Sequence, residues 1–177
     1  MKVKVTFILF LMNALVFMSI GQEDPFLRDF LERWENSKKY FLAVAEAMPE
    51  DKYHEKVYEE GMNFAEQLMH VALIIDWHAF SKFDGREAGI RWEEFKPEGK
   101  TKQQMIRIAE KEFDRAKRLI ATFDPERLNE KGSYADFTRT RRQFLLLLAD
   151  HVSHHRGQMI VYLRLQKIVP PNYINYQ

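Results

Sequence analysis

Cysteine is absent from all 177 residues. Its absence excludes disulfide staples, a thiolate nucleophile, thiolate metal ligands and a lipid-modified cysteine at a processing site. An excess of either charge is also missing, with 27 Lys and Arg against 26 Asp and Glu and no acidic tail or charged block. A chain without a broad basic surface lacks the electrostatic footprint of a nucleic-acid binder, so no nucleic-acid partner is expected. There is no repeat, no low-complexity tract and no strand-period alternation long enough to build a sheet. Phosphate-binding loops, a Ser-His-Asp order and a CxxCH haem attachment are missing as well.

What is present suits one compact domain: 46% apolar and 14% aromatic residues in a chain long enough to bury a core without staples. The opening "MKVKVTFILFLMNALVFMSIGQED" stands apart. Lys2 and Lys4 precede an apolar stretch from Val5 to Ile20, and Ser19 and Gly21 sit at −3 and −1 of a cut before Gln22. This pattern reads as a secretory signal peptide. The rival is an uncleaved membrane anchor, for which the apolar length is slightly short of the ~20 residues of a relaxed span. The expected division is residues 1–21 as signal peptide, cut after Gly21, and 22–177 as the domain. The expected location is exported, periplasmic or secreted, with membrane contact only if the segment is retained.

Four helical patterns follow. The spacing of Phe26, Phe30, Trp34, Phe41, Val44 and Ala45 predicts a helix over 24–48, stopped by Pro49. A second, over 57–83, carries Phe64, Leu68, Val71, Ile75 and His78 on one flank. "DGREAGIRWEEFKPEGK", residues 84–100, has three glycines and a proline and reads as a long loop of the kind that covers a site. A third helix spans 102–122 with Thr101 as N-cap, and a fourth spans 138–167. The tail "IVPPNYINYQ" cannot continue a helix past its two prolines. The fold class is all-α, a four-helix bundle.

The fourth helix holds the most unusual stretch, "LLLLADHVSHHRGQMIVYLRL", Leu145 to Leu165. Phe144, Leu147, Leu148, His151, His155, Gln158, Met159 and Tyr162 follow the core-facing spacing. His151 and His155 are four apart, so their rings project the same way from successive turns. Two charged rings so placed would repel, and two neutral ones would each need a partner in a dry core. A cation solves both problems by taking the lone pairs. His154, adjacent to His155, diverges by about 100° and is the second-choice partner. His70, in the apolar middle of the second helix, is the natural third ligand, with Glu66 and Gln67 a turn back to order its ring or join the metal. His78 reads as structural or rim and His54 as exposed. Gly157 would permit a close helix contact, Arg156 would face out or pair with an acid, and Gln158 is placed to hydrogen-bond a substrate. Trp34, Trp77 and Trp92 read as core and lid hydrophobes.

"EAMPEDKY", then "NFAEQLMHVA", then "DHVSHHRGQMIVYLR" with "IVPP" after it, resemble the DinB/YfiT-like family of metal-dependent proteins over about residues 26–173. One departure is "LQKIVPP", where the family often has Gly or Asn before the prolines. The resemblance implies a DinB-like four-helix bundle with an up-down-down-up path. It also implies a divalent metal held by His70, His151 and His155. Three neutral nitrogens suit Zn²⁺ or Ni²⁺ and leave a fourth position open. Characterised relatives of this fold include thiol S-transferases and a thiol-dependent isomerase, so a metal-dependent transferase or hydrolase acting on an unidentified small molecule is the expectation. Gln158, Glu66 and His154 are the candidates for a catalytic role. The alternative is a non-catalytic metal- or ligand-binding stress-response module, whose site a fourth protein ligand would close. A homodimer through a bundle face is also expected from the resemblance.

Overall fold

The computed structural model describes residues 24–86 and 89–177. The expected signal segment and its cut after Gly21 lie outside the described residues. Among the described residues four α-helices form: α1 (Pro25–Ala47), α2 (Phe64–Trp77), α3 (Lys102–Ala121) and α4 (Arg141–Leu165). Each begins where a side chain satisfies free backbone N–H groups. Asp24 accepts from Leu27 N at the start of α1. Asn63, Thr101 and Thr140 form reciprocal capping boxes with Glu66, Gln104 and Gln143.

The expected second helix was too long at its front. The Asn63–Glu66 box sets the start at Phe64, and residues 57–63 are irregular. At its other end α2 widens into a π turn, His78–Phe83, closed by Asp84 N bonding to Ala79 O at 2.9 Å. The connection before α4 is more ordered than its sequence suggests. Lys131–Tyr134 (β1) and Phe137–Thr140 (β2) pair antiparallel around a two-residue turn, so α4 begins at Arg141 instead of 138.

Cross-helix contacts fix the directions. Along α1, Glu35, Lys38 and Glu46 meet Lys117, Asp114 and Lys102 of α3, so these helices are antiparallel. Phe26 and Ser37 of α1 meet Arg142 and Arg156 of α4, which makes that pair parallel. Phe64, His70 and His78 on the α2 side meet Tyr162, His151 and Phe144 of α4, again antiparallel. The path is therefore up-down-down-up. Trp34 anchors the core, 1% exposed, with its indole N–H donating to Phe113 O at 3.1 Å. Among the described residues no helix is long and apolar enough to cross a membrane.

The buried stripe of α4 runs through Leu145, Leu148, Val152, His155, Met159 and Tyr162. Leu147, expected to face the core, is 36% exposed because it lies more than about 100° around the helix from the centre of that stripe. Gly157 is a second correction. It is exposed, and a methyl group built on it meets no heavy atom within 4 Å, so it serves no close helix contact. Gly157→Ala is therefore expected to stabilise the fold by about 0.5–1 kcal/mol through helix propensity alone. A thermal melt should register this as a rise of roughly 1–4 °C.

Candidate metal centre

His70 from the middle of α2 and His151 and His155 from successive turns of α4 converge inside the bundle. One ring nitrogen from each lies within 4.8 Å of the other two. His70 Nε2 and His151 Nε2 are 3.2 Å apart. Two imidazoles on one tetrahedral cation, each about 2.0–2.1 Å from it, have nitrogens about 3.4 Å apart, so the observed pair already stands near that separation. Among the described residues no carboxylate joins the three.

The third ring is aimed by an amide. His155 Nδ1 donates to Gln67 Oε1 at 2.5 Å, which leaves Nε2 as its lone-pair nitrogen. Gln67 Nε2 in turn donates to Gln158 Oε1 at 2.6 Å, and Gln158 Nε2 donates to His154 Nε2 at 2.7 Å. This is the outer-shell arrangement that fixes the tautomer of a ligating histidine. Sequence spacing assigned Gln67 to the His70 ring on its own helix. It orders His155 across the helix interface instead, its amide oxygen accepting from that ring.

Burial sets the charge state. Desolvation pushes His151 down to about 4 and His155 down to about 3, each helped by the neighbouring rings, and it lowers His70 as well. All three are neutral at pH 7 and present lone pairs instead of positive charge. The donor set thus fits a borderline divalent cation: three neutral nitrogens and one ring oriented from behind.

The other candidates are sorted by the same contacts. Glu66 lies beside His70, and one of its carboxylate oxygens accepts from Asn63 N at 2.7 Å, which ties it to the helix cap. Gln158 and His154 are linked to the centre through Gln67, with His154 exposed. His54 is exposed, as expected. His78 is not at the rim. It is 7% exposed and packed against Tyr134 and Phe144, with burial pushing it down to about 4 and Nδ1 left without a partner. Arg156 neither faces out nor pairs with an acid. Its guanidinium donates to Ser37 Oγ at 2.9 Å and lies 4.8 Å over the Tyr40 ring, on the α1 side of α4.

Residues 89–100 of the 84–100 loop pack against α2. Its short 3-10 turn, Trp92–Phe95, tucks Phe95 into the core, 6% exposed. Between this turn and α2 lies a cavity of about 150 Å³ that reaches His70. Arg91 pins the loop down through an ion pair of 2.8 Å with Asp76 at the end of α2. Asp76 also accepts from Arg115 of α3 at 2.7 Å, and Arg115 reaches Glu112 at 2.5 Å. Spacing did not reveal this network. Its one visible signal was an aspartate inside the apolar run "ALIIDWHAF".

The profile of the DinB family matches residues 18–173. The chain belongs to the DinB family. A search of curated proteins gave no match. Among solved structures, a DinB-like protein from Bacillus subtilis is 20% identical with a TM-score of 0.67, over 82% of this chain and 96% of its own. A DinB-like protein from Bacillus cereus is 16% identical with a TM-score of 0.68, over 81% of this chain and 94% of its own. At these identities the likeness carries the fold. Among the described residues of this DinB chain, His70, His151 and His155 at the α2–α4 interface form a group that could hold a metal ion.

Proposed function

We propose that this DinB-family protein is exported and works as a metal-dependent enzyme, with His70, His151 and His155 holding one divalent cation, Zn²⁺ or Ni²⁺. A cation there would supply Lewis acidity to a donor atom of an incoming small molecule. The chain's own residues do the rest. Gln67 holds the His155 tautomer, the apolar shell keeps the rings neutral, and the Trp92–Phe95 turn forms one side of the cavity beside His70. The observation that carries the reading is the cavity against His70 combined with the absence of a fourth ligand among the described residues. A storage or purely structural site would be closed by that ligand. Thiol transfer and hydrolysis are the two reaction classes to try. Of the candidates, Glu66 borders the cavity and is the one placed to assist either, while Gln158 and His154 connect to the centre only through Gln67.

Metal analysis of protein isolated from its own compartment tests the reading. One divalent ion per chain is expected, and none in a His70→Ala, His151→Ala double variant that still melts cooperatively. Protein that is metal-free as isolated and takes up no Zn²⁺ or Ni²⁺ in dialysis would refute it. The processed N-terminus should read Gln22 by mass spectrometry.

A further inference from the structure

The cavity beside His70 says what kind of molecule the site takes. Met69 and Leu73 of α2 form one wall, and Trp92, Phe95 and Pro97 of the loop form the other. The two charged side chains in its lining are tethered. Lys96 Nζ pairs with Glu93 at 2.7 Å, and Glu66 accepts from Asn63 N. Between these two tethered groups the lining is apolar and runs up to a candidate ligand ring. The volume is about 150 Å³ and the cavity opens to solvent, so a group the size of one aromatic ring fits with the rest of its molecule outside. The Trp92 indole is 56% exposed, a large apolar surface that an occupant of the cavity would help to cover.

We infer that the substrate carries a compact apolar group, an aryl ring or branched alkyl of similar size, adjoining the donor group that meets the cation. This rests on the metal-centre reading above and adds the part of the substrate that the protein itself selects. α2 and the loop together measure that group. The cavity is too small for a bulky polar conjugate, which would have to lie outside, beyond Trp92.

Two metal-directed probes that differ only in the apolar group test this on the full chain loaded with Co²⁺. Acetohydroxamate and benzohydroxamate are titrated while the cobalt absorption and the tryptophan emission are followed. Benzohydroxamate should bind at least tenfold tighter and shift the emission. In Trp92→Ala, whose side chain is largely exposed, the preference should fall below threefold through weaker benzohydroxamate binding, while the cobalt spectrum without probe keeps its wild-type form. Equal affinities for the two probes, both perturbing the cobalt spectrum, would overturn the apolar-group inference and leave the metal centre standing. A tenfold preference that survives Trp92→Ala would overturn the loop's part in it. Bound cobalt that responds to neither probe would overturn the open coordination position itself, and the inference with it.

Discussion

His151→Ala is expected to weaken divalent-cation binding about a hundredfold. Apparent binding free energies of about 10–16 kcal/mol for four-ligand structural zinc sites imply roughly 3 kcal/mol per ligand, or two decades in affinity. Gln67→Leu leaves all three rings in place but removes the acceptor for His155 Nδ1. It should cost 10–100-fold, the usual range for a lost outer-shell partner. Competition titrations against a chelating dye give both numbers. Equal affinities in the wild type and His151→Ala would remove His151 from the ligand set. The same rings give the chain a defined acid response. In the unfolded chain they take protons from about pH 6.5 downward. In the folded chain burial delays this to about 4 for His151 and 3 for His155, with His78 near 4. The stability associated with their neutral, buried state is thus present above pH 6.5 and is lost as pH falls toward 4. Protons also compete with the cation for the same lone pairs, so metal-loaded protein responds with the same sign. Melts at pH 7, 5.5 and 4.5 should fall in order, and less steeply in His155→Ala.

How much of this could be read from the sequence follows from which interactions are local. His151 and His155 announce themselves by helical spacing, because four residues bring two side chains to one face whatever surrounds them. The boundaries of α1 and α3 were legible for the same reason, through a proline stop and a threonine cap. His70 became a ligand candidate as a polar residue stranded in an apolar run. What could not be read depends on the partner across an interface. Gln67 serves a ring 88 residues away, and Arg156 finds Ser37 and Tyr40 because α1 and α4 run parallel. Leu147 failed because a single apolar residue beside a wide stripe carries no sign of which edge it lies on. The β1–β2 hairpin was missed because strands of four residues leave too short an alternation to count.

The Asp76–Arg115–Glu112 network is the clearest case of chemistry hidden from spacing, and it carries the largest expected loss of stability. Two carboxylates that are 7% and 3% exposed share one guanidinium, which also lies 4.8 Å over Phe80. Arg115→Met keeps apolar packing over that ring but leaves the carboxylates facing each other. Removing one member of a buried charge network costs about 3–5 kcal/mol, because a buried charge is left uncompensated. The melting temperature should drop by roughly 6–20 °C at pH 7. The pH dependence should oppose that of the histidines. Burial and the Asp76 charge already raise Glu112 above the ordinary carboxylate value, while Arg115 holds it down. Without Arg115 the folded pKa rises further above the unfolded one, so the destabilised variant regains stability as pH falls and Glu112 takes up a proton. Arg115→Met with Glu112→Gln should recover much of the loss at pH 7 by removing one of the two charges, leaving Asp76 to Arg91 and the loop still pinned over the cavity. If the double variant is no more stable than the single one, the carboxylates are not the source of the cost, and the guanidinium acts through packing alone.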